Sequence, residues 1–313
     1  MRALVVIVVA TMGCGDDAAP TKSTPSSTPP AKTPQVAATS KPVDLSLGAG
    51  FEMRRPLRDG NLAIVPIVAT AWQGSQPYLT LATGITTHVV TVREIGRGSN
   101  MVVDHVRIRN KSTLPLFVMT GEMIIDGLQD RVIAEDRVIA PGASVRVEVR
   151  CVEQGREVGH MSFHTNATLA ELSVRQAVIH QTQTEVWQLV DRINQQHDLT
   201  PTTKTYRDKA AMQQNPDVVA RRDRLAHQLA ALPDRDKLVG LAEVIDGHVV
   251  SIERFATPEL YGALESELLG SYVSSVDDKP HEGRTFLPDD VRAFVAKPGS
   301  RTTAASFTAV DRP

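Results

Sequence analysis

Glu122, Gln129, Arg131, Glu153 and Arg156 are the residues of this 313-residue chain best suited to shared chemistry. Two carboxylates and two guanidiniums, set near the ends of β-like segments, could converge on one cleft. The planar fork of arginine suits a carboxylate or a phosphate. A glutamate beside it can serve as a general base once partly desolvated. The competing role is a buried ion-pair network that ties a sheet together. Residue types alone leave both roles open.

The thiol of Cys151 is a second candidate. A nucleophilic thiol needs a cation, a base or a helix N-terminus to lower its pKa. Arg150 is adjacent but belongs to the opposite face of a strand, and Cys151 continues the apolar column Val145, Val147, Val149. Cys151 is therefore expected to be a core thiol. His160 and His164 lie four apart but lack the glutamate of a metalloprotease helix and a third ligand, so no metal is expected. Arg221, Arg222 and Arg224 interleave with Asp217 and Asp223 and read as a solvated helix face with local ion pairs.

Several classes drop out. The sequence contains no Walker phosphate loop, dinucleotide glycine fingerprint, GxSxG elbow, CxxC pair or HExxH. No cofactor is implied. Lys+Arg 34 against Asp+Glu 36 gives a net charge of -2, so no nucleic-acid partner is expected. Two cysteines cannot frame a disulfide scaffold.

The elements that must hold these residues change character along the chain. Up to Glu153 the runs are short and β-rich. Ser144 to Glu153 alternates most clearly, and Met101 to Asn110 sets Val106 and Ile108 against His105, Arg107 and Arg109. From Thr168 to Gln195 apolar residues recur at helical spacing, which predicts one long helix. A second helix is predicted over Pro216 to Leu232, with Asn215 as its cap. Asp246-Gly247 predicts a hairpin between Leu238–Ile245 and His248–Phe255, and Thr257 caps a further helix from Pro258 to Ser275. The pattern predicts an α+β fold: an N-terminal antiparallel β-sheet or sandwich half, then a helix-rich half with one β-hairpin, in a single globular domain.

The stretch from Gly121 to Arg156 carries a family resemblance. Gly121-Glu122, Gly127 with Gln129 and Arg131, Pro141-Gly142, and Cys151-Val152-Glu153 with Gly155-Arg156 resemble the ARPP-1 domain family. That family is named for its association with ADP-ribosylglycohydrolases and rhodanese-phosphatases. Support upstream comes from Asn61-Leu62, Pro66, Tyr78 to Leu81 and Glu94, and downstream from Val239-Gly240 through Phe255, so the resemblance spans roughly residues 50–276. Leu128 and Asp130 stand where Lys and Asn are expected, and Glu157 where an aromatic is expected. The resemblance implies no established reaction.

The N-terminus reads as an address. Residues 1–13 hold one Arg and an apolar run too short to span a bilayer, as in a secretory signal. Gly13-Cys14 then resembles a lipoprotein site, with lipid on Cys14, and a plain secretory signal cleaved nearby is the alternative. Residues 14–44 are rich in Pro, Ser and Thr and are expected to form a lipid-anchored, disordered tether. The globular domain is expected over 45–276, with 277–313 as a partly disordered C-terminal extension. These features suggest an exported protein of the cell envelope, held on a membrane, on the periplasmic side in a Gram-negative cell. Three functions fit: a tethered module binding a small anionic ligand or a protein partner; a hydrolase-like enzyme acting on an anionic or ADP-ribose-derived substrate; or an envelope component without a ligand.

Overall fold

The computed structural model describes residues 50–70, 76–96, 100–155, 160–196, 205–276, 288–295 and 301–311. Cys14, the leader and the tether of residues 1–44 lie outside them, as does Arg156. The chain opens with strands β1 (Phe51–Met53), β2 (Leu57–Asp59), β3 (Leu62–Ala69) and β4 (Leu79–Thr80), then helix α1 (Leu81–Thr86). Eight strands follow: β5 (Val90–Ile95), β6 (Val102–Asn110), β7 (Leu116–Val118), β8 (Glu122–Ile125), β9 (Arg131–Ile133), β10 (Arg137–Ile139), β11 (Ser144–Cys151) and β12 (Ser162–Leu169). Helices α2 (Leu172–His180), α3 (Gln183–Gln196), α4 (Thr205–Ala211) and α5 (Pro216–Ala230) come next. Strands β13 (Leu238–Ile245) and β14 (His248–Phe255), helices α6 (Pro258–Ser274) and α7 (Pro288–Val295), and strands β15 (Arg301–Thr302) and β16 (Ser306–Val310) complete the α+β domain.

Local chemistry explains several boundaries. Asn215 accepts from the Asp217 amide, and Pro216 fills the first turn of α5. Thr257 caps α6 through the Leu260 amide at 3.0 Å. Asp246 and Gly247 both take positive φ, as the two-residue hairpin between β13 and β14 requires.

Strands β11, β6, β5, β12, β8 and β9 close into a barrel. Its interior is apolar, with Val92, Val106, Ile108, Ile124, Val147 and Phe163 in one buried cluster. Gly127 lies against the Phe163 ring so closely that a Cβ would fall 2.2 Å from a ring carbon. The outer wall at β8 and β9 is also buried: Met123, Val132 and Ala134 pack against Val174 and Val178 of α2, Val186 and Val190 of α3, and Tyr206 of α4.

Beside the barrel runs a seven-stranded sheet in the order β1-β3-β13-β14-β16-β15, with β2 also on β3. One face carries α5 and α6 over Leu62, Ile64, Leu241 and Phe255. The other carries Val291 and Phe294 of α7.

The structure departs from the sequence expectation in three places. The predicted helix from Thr168 to Gln195 is the end of β12 followed by two helices. The barrel takes Ser162–Leu169 as a strand between β5 and β8, with a register shift between Thr165 and Leu169. Thr182 and Glu185 then form a reciprocal cap, with the Thr182 amide donating to Glu185 Oε2 at 2.7 Å, and a new helix starts. The first-half strands are also not one sheet or sandwich, because β3 pairs with β13 from the second half. Lastly, the folded chain runs past residue 276. β16 hydrogen-bonds along β14 from Ser251 to Phe255, giving the β14 edge a partner.

Candidate functional site

Three of the five singled-out residues gather at one end of the barrel. Arg131 opens β9 and is 1% exposed. Its guanidinium meets Glu94 Oε2 of β5 at 2.7 Å and lies 5.4 Å from the centre of the Phe163 ring. Glu94 also accepts from the Leu128 amide at 3.2 Å. Gln129 is buried alongside, donating from Nε2 to the Glu153 carbonyl at 3.0 Å and accepting from the Cys151 thiol at 3.4 Å. Glu153 is buried and takes the Tyr206 amide on Oε1 at 2.7 Å, at the first turn of α4. A carboxylate there satisfies an orphan amide and the positive end of the helix dipole.

Cys151 is buried and forms the last residue of β11, opposite Arg131. The Gln183 side chain of α3 clamps its backbone, accepting from the amide at 3.0 Å and donating to the carbonyl at 2.6 Å. The barrel end is thus plugged by a packed polar layer.

Glu122 belongs elsewhere. It starts β8, and its Oε2 accepts from the Met119 amide at 2.6 Å. Burial pushes its carboxyl well above the ordinary range, and the neighbouring Glu267 and Asp136 push it further. Burial also pushes Glu267 of α6 up to about 7. Asp136 collects three donors: the Thr120 amide at 2.7 Å, Ser306 Oγ at 2.8 Å and Thr308 Oγ1 at 2.7 Å. The described residues therefore do not gather all the candidates around one ligand: Glu122 and Glu153 serve different elements through different partners.

A further charged cluster escaped the sequence reading. Arg175 of α2 pairs with Glu253 of β14, both wholly buried. The Tyr272 hydroxyl of α6 donates to Glu253. Ser251 Oγ contacts Glu243 Oε2 at 2.9 Å and Glu253 Oε2 at 3.2 Å. Burial, then the nearby Glu253 charge, pushes Glu243 up to about 8. Burial likewise holds the Tyr272 phenol well above its usual range. Such a set could move protons, but every member is 0% exposed and closed off from solvent. A period-two pattern did carry the signal: Glu243 lies between Leu241 and Ile245, and Glu253 between Ser251 and Phe255, on the face that packs under α5 and α6.

The remaining candidates take structural places. His164 sits on β12, not on a helix with His160, and its Nδ1 lies 3.4 Å from Asp126. Among the described residues no three His, Cys, Asp or Glu side chains are placed to hold a metal ion. Arg221 and Arg224 are not a purely solvated face: one helical turn apart, they grip Asp59 of β2 at 2.6 and 2.7 Å. Arg222 keeps the expected local pair, with Asp223 at 3.3 Å. Asp130, at a position where Asn was expected, receives Arg207 Nε at 2.7 Å.

Residues 50–311 match the family model of the ARG and Rhodanese-Phosphatase-superfamily-associated Protein domain. No curated protein and no solved structure matches the chain.

Proposed function

Because the chain belongs to the ARPP-1 family, a name that records association and no reaction, we propose from its geometry that it is a binding or interaction module, exported and held on a membrane by lipid on Cys14. One observation carries this reading over the hydrolase alternative. Arg131, the cation best suited to an anionic substrate, is sealed inside the barrel end against Glu94 and Phe163. Gln129 and Glu153 beside it are likewise engaged with backbone groups of the same domain. A catalytic group must reach a reacting atom within hydrogen-bond distance, and these side chains reach only their own fold.

The anchor rests on the Gly13-Cys14 sequence and the Pro/Ser/Thr-rich stretch after it. Among the described residues no helix is long and apolar enough to cross a membrane. Two measurements test the proposal. Mass spectrometry of the chain from membranes should find acyl chains on Cys14, and Cys14→Ser should release it to the soluble fraction. Incubation with ADP-ribosyl esters and nucleotide-derived substrates should give no turnover. Turnover abolished by Glu122→Gln would sink the binding-module reading and favour the hydrolase.

A further inference from the structure

One outer face of the barrel, around Arg93, Arg107, Arg109 and Arg146, stays exposed. Strands β12, β5, β6 and β11 lie side by side there, and the register places Ser162 beside Arg93, Arg93 beside Arg107, and Arg107 beside Arg146. Three arginines thus stand directly opposite one another on three neighbouring strands. Arg109, one step further along the same face of β6, sits between Thr91 and Ser144. All four arginines are exposed, and among the described residues none makes an ion pair or a side-chain hydrogen bond. Glu148, two residues from Arg146 along β11, pairs with Arg150 at 2.7 Å, and Asp104 of β6 pairs with His105 at 3.0 Å.

Like charges directly opposite on a sheet destabilise it, and strands about 4.8 Å apart leave little room to separate them. Among the described residues no acid pairs with these arginines, so an external anion is the natural partner. Val103 of β6, past the register shift that separates Val102 from Arg107, is 39% exposed and is the one exposed large apolar side chain among the described residues. Basic residues beside an exposed apolar one suit a lipid interface, where headgroups neutralise charge and the apolar group enters the acyl boundary. A soluble polyanion would use the arginines and leave Val103 unexplained.

We propose that this wall, centred on Arg93, Arg107, Arg109, Arg146 and Val103, docks on anionic phospholipid headgroups. The proposal rests on the membrane-tethered reading, because an anchor at Cys14 would confine the barrel near a bilayer.

The test uses the full chain carrying Cys14→Ser, so that no lipid anchor contributes. Its binding to vesicles of phosphatidylcholine mixed with phosphatidylglycerol is compared with binding to phosphatidylcholine alone. Binding is expected only with the anionic lipid and should weaken as salt rises. The triple variant Arg93→Gln/Arg107→Gln/Arg146→Gln should bind on the order of 100-fold more weakly, at roughly fivefold per arginine. Val103→Ser should weaken vesicle binding but not binding to inorganic polyphosphate. Circular dichroism of each variant checks that the fold persists, as expected for exposed residues without internal partners. Equal binding to both vesicle types, or undiminished binding by the triple variant, overturns the proposal. So does tighter binding to polyphosphate or single-stranded DNA than to anionic vesicles. The outcome is separable from the Cys14 result, since an unlipidated Cys14 would remove the anchor while vesicle binding still reported on the wall.

Discussion

The barrel presents two walls built on the same interior and finished in opposite ways. On β8 and β9 the outward residues Met123, Val132 and Ala134 are apolar, and α2, α3 and α4 cover them. On β5, β6 and β11 the outward residues are Arg93, Arg107, Arg109 and Arg146, and they remain exposed. The inward residues of both walls join one apolar core. The difference lies wholly in alternate positions along the strands. Burial of apolar area holds the helices on one wall, while charge keeps the other open to an outside partner.

The covered wall should be the fragile one. Arg175 ties α2 to the sheet through Glu253 with both groups wholly buried. Arg175→Ala strands a buried carboxylate and should destabilise the domain by about 3–5 kcal/mol, read from urea unfolding. Met123→Ala, which opens a cavity under the same helices, should cost about 2–5 kcal/mol by the same measurement.

The sheet beneath α2 and α6 should also make stability depend on pH. Glu243 holds its proton up to about pH 8 in the folded chain, against an ordinary value of 4.5. Between those values the unfolded chain releases the proton and the folded chain keeps it. Stability therefore falls as pH rises through this window and levels off above it, with a slope of at most about 1.4 kcal/mol per pH unit from this group. Glu243→Gln should flatten that slope in denaturation series taken across the window, and an unchanged slope would assign the effect to Glu122 or Glu267. On the bare wall the sign reverses. Arg107→Thr should leave stability unchanged or raise it by up to about 1 kcal/mol, because it relieves the cross-strand repulsion. A clear loss of stability in that variant would mean that the arginines serve the fold after all.

Much of this contrast is legible in the chain. The alternation that puts Arg107 and Arg109 opposite Val106 and Ile108, and Arg146 opposite Val147, can be read directly. So can the caps of α5 and α6 and the Asp246-Gly247 hairpin, because each depends on residues within a few positions of one another. The pairing of Arg131 with Glu94, 37 positions away, could not be read locally. Nor could the use of Ser162–Leu169 as a strand, where barrel closure overrides helical spacing. For the same reason the candidate cluster divided: nothing near Glu122 in sequence announces Glu267 or Asp136 as its neighbours.

The sequence by itself determined the class of the fold, the N-terminal caps of α5 and α6, and the outward faces of β6 and β11 around their arginines. The tertiary structure alone decided which charges are buried with a partner and which stand exposed beside their like. Side-chain direction along a strand follows from a period of two, but strand order and register depend on contacts between distant segments. Arg93, Arg107 and Arg146 become one surface only because β5, β6 and β11 pair in this register.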